Sequence, residues 1–188
     1  MTRYEDRPAP DEYAPSFGPY VDRVPAGDLI ELLERQAVEM RRLLEGLTES
    51  QATYAYAPGK WTIKEVVGHL SDAERVFAYR ALRFARGDAT ELAGFEEDAY
   101  VAAGAFGARP LADLLDEFAA ARSATVKLLA GLPPEAWLRR GVANGYATSV
   151  RALACVIAGH ELHHRAILVE RYGVPTPTRQ AQGLAPSV

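Results

Sequence analysis

Four long stretches of this sequence repeat their apolar residues every three or four positions, and each ends at a helix-stopping signal, which commits the chain to packed helices. Residues 28–47 place Leu29, Leu32, Leu33, Gln36, Met40, Leu43, Leu44 and Leu47 on one face, with charged residues between them. The second stretch opens at Thr62-Ile63-Lys64-Glu65, a capping box in which the Thr62 hydroxyl and the Glu65 carboxylate each accept from the other residue's backbone N–H. Its apolar stripe is Ile63, Val66, Val67, Leu70, Ala73, Phe77, Ala81 and Phe84, and Gly87 stops it. Pro110 suits the first turn of the third, which runs through Leu114, Leu115, Phe118, Val126 and Leu129 to Gly131. Ser149 caps the fourth, which continues to Tyr172 and stops at Gly173, with Pro175 beyond.

No stretch alternates as a strand does, so the expected fold is all-α: a four-helix bundle over residues 27–173. Two long connections remain. Residues 87–109 predict a structured loop with a short helix near 96–103, and residues 132–148 a loop around Asn144-Gly145. Pro8, Pro10, Pro15, Pro19 and Pro25 exclude a helix over residues 1–26. That segment is expected to be an extended arm on the body, anchored by Tyr4, Tyr13, Phe17 and Tyr20. Residues 174–188 predict a loosely held tail.

With 188 residues, 48% of them hydrophobic and 24% charged, the chain is long enough for one domain with a real core. A net charge of -4 without a basic block argues against nucleic acid as a partner. No apolar run reaches the length of a membrane span, and the first 25 residues lack the apolar core of a secretory signal. The single cysteine, Cys155, lies in an apolar stretch and reads as a buried inert thiol. These features together predict a cytoplasmic protein.

Only four histidines are present, and three fall in His160-Glu161-Leu162-His163-His164. His160 and His164 stand one turn apart on the apolar face of the fourth helix. Buried imidazoles need a hydrogen-bond partner or a metal. His69, at the edge of the second helix's stripe, can supply a third nitrogen. Three protein ligands with one open position is the layout of a reactive metal site. His163 turns toward Gly159 and Ala166, and is expected to stay out of the ligand set.

The same string satisfies H-E-x-x-H, the zinc metalloprotease signature. The extended signature fails, because no glycine and third histidine follow His164, and no strand precedes it to hold a peptide. The match is therefore read as coincidental.

The segment Trp61-Thr62-Ile63-Lys64-Glu65-Val66-Val67-Gly68-His69-Leu70-Ser71-Asp72-Ala73-Glu74, the Asn144-Gly145 loop, and Ser149-Val150-Arg151-Ala152-Leu153 leading into Gly159-His160-Glu161-Leu162-His163-His164 resemble the DinB/YfiT-like superfamily. The resemblance spans about residues 28–172; the arm lies outside it. It implies an up-down-down-up four-helix bundle, often dimeric, with a divalent metal on His69, His160 and His164. It also implies an activity of one of two kinds. Some relatives are S-transferases that use bacillithiol or mycothiol, and one is a mycothiol-dependent maleylpyruvate isomerase. Many others are labelled metal-dependent hydrolases without a known substrate.

The expected function is therefore a metal-dependent enzyme of the thiol S-transferase or hydrolase type acting on a small molecule. Zinc is the first choice of ion and nickel the second, with a low-molecular-weight thiol as possible cosubstrate. The alternative is a non-catalytic metal-binding stress-response bundle. Asp72, three residues after His69, is the candidate for a catalytic base or a ligand-orienting group. Arg75, Arg80 and Arg151 read first as surface or ion-pair residues and second as candidates for an anionic substrate. Tyr100, Asn144 and Tyr146, from the two long connections, are candidates for the pocket. A homodimer is expected from apolar residues on more than one helix face, Val67, Phe77, Phe84, Leu162, Ile167 and Val169 among them.

Overall fold

A computed structural model describes residues 7–176; Tyr4 and the tail at 177–188 lie outside the described residues. The elements in order are α1 (Gly18–Val21), α2 (Leu29–Leu44), α3 (Glu49–Ala52), α4 (Ile63–Ala85), α5 (Glu97–Ala103), α6 (Leu111–Ala130), α7 (Pro134–Trp137), β1 (Arg140–Ala143), β2 (Tyr146–Ser149) and α8 (Val150–Glu170). The long helices α2, α4, α6 and α8 form the bundle, each within a few residues of its expected bounds. Local chemistry sets their starts. Asp28 accepts from the N–H groups of Ile30 and Glu31, Thr62 from Glu65, and Ser149 from Ala152.

Named contacts fix the helix directions. Tyr172, just past α8, donates its hydroxyl to the Trp61 carbonyl just ahead of α4 at 2.6 Å, so α4 and α8 are antiparallel. Lys64 of α4 pairs with Glu49, which also accepts from the Leu111 N–H that opens α6, and Glu74 pairs with Arg122 further along both helices; α4 and α6 are parallel. Arg122 also donates to the Leu33 carbonyl, while Arg41 pairs with Asp116, so α2 opposes α6. Gln36 reaches Ala158 and Glu39 reaches Arg165, so α2 runs with α8. The order is up, down, down, up. Each of α2 and α4 packs on both α6 and α8, which puts α2 diagonally across from α4 and α6 across from α8.

The apolar core is divided. One half gathers Leu33, Phe77, Phe84, Leu129, Leu153 and Ile157. The other gathers Met40, Leu44, Val67, Leu70, Leu114, Phe118 and Leu168. Between them runs a belt of buried polar groups: Gln36, His69, Glu74, Arg122, His160, Glu161 and His164. Arg122 Nε donates to both Glu74 oxygens at 2.7 and 2.9 Å, its NH1 donates to Gln36 Oε1 at 2.7 Å, and Gln36 Nε2 donates to the Ala158 carbonyl at 2.8 Å. This chain touches all four long helices and fixes their register at the level of the histidines.

Two expectations are corrected. Residues 140–149 form an antiparallel hairpin, not a plain loop, with Val142 opposite Ala147. Asn144 and Gly145 take left-handed φ values of 52° and 76°, the combination a two-residue hairpin turn demands. The arm does lie on the body, through Tyr13, Phe17 and Tyr20, but it is not extended. It winds into turns at Pro10–Glu12, Pro15–Phe17 and α1. Each turn starts with a proline in its first two positions, where the missing N–H has no helical partner to lose. Buried Glu12 straps the arm down by accepting from Ser149 Oγ at 2.7 Å and Arg151 Nε at 2.6 Å. Among the described residues no helix is long and apolar enough to cross a membrane.

Candidate metal centre

His69 sits two turns into α4, and His160 and His164 sit one turn apart in the antiparallel α8. The level at which the helices meet brings the three rings together. His69 Nε2 lies 3.0 Å from His160 Nε2, and His164 Nε2 lies 3.1 Å from the same atom. The three possible ligand nitrogens fall within 4.8 Å of one another. Nitrogens bound tetrahedrally at zinc distances lie about 3.3 Å apart, so small shifts of the rings would make room for one divalent ion.

Burial keeps these nitrogens neutral. It pushes His69 down to about 4, against a small opposing pull from Asp98. It pushes His164 down to about 3 and His160 well below the ordinary histidine value, with the neighbouring histidines adding to both. At neutral pH each ring therefore carries a free lone pair, the form a metal needs.

Aromatic side chains wall the cluster. The Trp61 ring is 4.6 Å from His69 and nearly parallel to His164, at 20°. Tyr20 meets the edge of His160 at 5.2 Å and Phe77 meets it at 6.1 Å. Phe106 lies against Gly68, where an added Cβ would stand 2.4 Å from its ring. Phe106, from the connection at residues 87–109, thus covers this end of α4.

Asp72 is half-buried and its carboxyl is raised by that burial, while Arg75 at 3.4 Å pulls it down. Tyr100 packs on Phe95 at 5.3 Å and is half-exposed. Asn144 lies over Gly94 at the hairpin tip, and Tyr146 is exposed on β2. Among the described residues none of these four makes a hydrogen bond or ring contact with a histidine of the cluster. His163 stands beside the cluster, with its ring 5.3 Å from Tyr20 and 5.2 Å from His164.

Sequence reasoning missed the walls. Nothing in the spacing of Tyr20 or Trp61 shows that both rings end on histidines. Glu161 is the acidic residue of the H-E-x-x-H string. It is fully buried, one helical step from His160, and neither of its oxygens has a hydrogen-bond partner among the described residues. Burial pushes its carboxyl up to about 7, and Arg165 Nε, at 3.6 Å, is the ion-pair partner. It is not among the groups that converge as possible ligands.

A sequence profile of the DinB superfamily matches residues 32–168. The chain belongs to the DinB superfamily. No curated protein matches it closely enough to count as a relative. Among solved structures it is similar to YfiT from Bacillus subtilis, described as "a probable metal-dependent hydrolase with an unusual four-helix bundle topology". The two share 19% identity, with a TM-score of 0.71 over 91% of this chain and 95% of that one. At that identity the likeness establishes the fold.

Proposed function

We propose that this DinB protein is a metal-dependent enzyme in which His69, His160 and His164 hold one divalent ion, zinc first and nickel second, and in which a low-molecular-weight thiol is transferred to a small-molecule substrate. The observation that carries this reading is the convergence of three neutral, buried Nε2 atoms from two helices. An ion on three neutral nitrogens would keep its full charge and an open position, able to lower the pKa of a thiol or water or to polarise a carbonyl. Trp61, Tyr20 and Phe77 exclude water from the centre and hold the rings in place. Asp72 is the candidate to accept a proton, with its raised carboxyl within one turn of His69. Tyr100, Asn144 and Tyr146 line the approach in this reading.

Hydrolysis is the second reading, and the description of YfiT favours it. A non-catalytic metal-binding bundle is the third. We also propose a cytoplasmic homodimer. Its ground is narrower than the sequence suggested, because Val67, Phe77 and Phe84 are buried within the chain itself. Leu162, Ile167 and Val169 stay half-exposed and carry it.

The experiment is elemental analysis of protein purified without a polyhistidine tag, then a screen of electrophiles with and without thiols. Metal-dependent loss of free thiol supports transfer. Turnover without thiol supports hydrolysis. Metal binding with neither activity leaves the non-catalytic bundle.

A further inference from the structure

Arg80 stands apart from several other arginines. It is 5% exposed, yet no carboxylate among the described residues pairs with it. Arg75, Arg83, Arg109, Arg122 and Arg151 each have one. Among the described residues the one hydrogen bond of Arg80 runs from NH2 to the Ala93 carbonyl at 2.8 Å. Its guanidinium lies 5.8 Å from the Phe77 ring and 6.0 Å from the Phe95 ring. A guanidinium has five N–H donors, so most are unspent, and a buried unpaired charge is costly. Arg80 also lines a surface groove of about 460 Å³, with Tyr79, Leu92, Phe95, Tyr100 and Glu91.

We propose that this groove binds a small organic carboxylate, with the carboxylate on Arg80 and the apolar body against Phe95, Tyr79 and Tyr100. Planar N–H pairs match a carboxylate in a two-point contact. The aromatic walls suit a ligand with an apolar body. Glu91, exposed at the same groove, disfavours dianions such as phosphate. Arg75 adds little net charge there, since Glu117 at 2.6 Å and Asp72 already face it.

The groove's place on the helix gives it a use. Arg80 follows His69 by eleven positions, about three turns, so both sit on the same side of α4. Phe77 lies between groove and cluster, with its ring 5.8 Å from the Arg80 guanidinium and 6.1 Å from the His160 ring. Under the proposed function the groove is where the anionic end of the substrate rests. That use depends on the metal reading; carboxylate binding does not.

The test is calorimetric titration of metal-free protein with phenylacetate, neutral phenylacetamide and inorganic phosphate. Phenylacetate is expected to bind at least about tenfold more tightly than the amide, the scale of one hydrogen bond to a charged group. Arg80→Gln is expected to abolish that preference. Because a buried position can unfold when changed, Glu91→Gln at the exposed rim is the second variant, expected to tighten phenylacetate about two- to fivefold. Equal binding of acid and amide, no binding of either, phosphate binding as tight as phenylacetate, or no effect of Glu91→Gln overturns the proposal. Added zinc is expected to leave phenylacetate affinity unchanged. Binding that appears only with zinc would place the carboxylate on the ion and overturn the groove, whereas failure of the metal assays alone leaves the groove standing.

Discussion

The backbone carbonyl of Tyr20 occupies the place where a side chain at position 159 would begin. A Cβ on Gly159 would lie 1.9 Å from that oxygen. The α1 turn of the arm is therefore packed directly on the α8 backbone, one residue before His160. The same approach brings the Tyr20 ring onto His160 and His163. The arm is thus a wall of the histidine centre.

Gly159→Ala should push the arm away. The obstacle is backbone, not a side chain that can turn aside, so the expected cost is about 1–3 kcal/mol, the range for overpacking. Denaturant melts measure it, and limited proteolysis within residues 7–26 should speed up. Unchanged stability and unchanged cleavage would mean that the arm does not rest on α8 as described.

Much of this was legible in the sequence because helices announce themselves locally. Thr62 with Glu65 and Ser149 with Ala152 fixed two helix starts, and the i, i+4 pair at 160 and 164 pointed inward from its apolar neighbours alone. What was not legible depends on contacts distant in sequence. Tyr20 meets His160 only because α1 docks on Gly159. Gln36 was counted as part of an apolar stripe, and its bond to Ala158 crosses the bundle. The hairpin at 140–149 did carry a local signal, Asn144-Gly145, but its strands are too short for alternation to show.

Untagged protein should contain about one divalent ion per chain, on His69, His160 and His164. His160→Ala should abolish binding, because His160 Nε2 is the atom that both other histidines approach. His164→Gln should weaken it strongly. His163→Gln should leave it nearly intact, since that ring faces Tyr20. Elemental analysis of the three variants decides, and full occupancy in His160→Ala would refute the ligand set.

Breaking the Glu74–Arg122 pair should cost more than any surface ion pair. Both side chains are buried, at 3% and 2% exposure. Glu74→Gln leaves the guanidinium without its counter-charge, for an expected loss of about 3–5 kcal/mol. Arg75→Ala, partly exposed, should cost about 0–1 kcal/mol. Comparable losses from the two, in chemical denaturation, would show that the buried belt does not hold the helices in register.

Acid should release the arm through Glu12. Hydrogen bonds from Arg151, opposed by burial and joined by Ser149, hold its carboxyl down to about 2, from an ordinary value of 4.5. The folded form thus binds its proton less readily than the unfolded chain. The stabilisation is complete above pH 4.5 and is lost as pH falls toward 2. The shift corresponds to about 3 kcal/mol before solvent screening reduces it. The buried histidines also oppose protonation, but they act first, from the ordinary value of 6.5 downward to about 4 for His69 and about 3 for His164. Comparing wild type with Glu12→Gln removes their share, because both proteins carry it. Glu12→Gln should be less stable by about 2 kcal/mol at pH 7, and the gap should close below pH 4.5. A gap that stays constant down to the lowest pH at which the fold survives would mean that the Glu12 charge does not hold the arm.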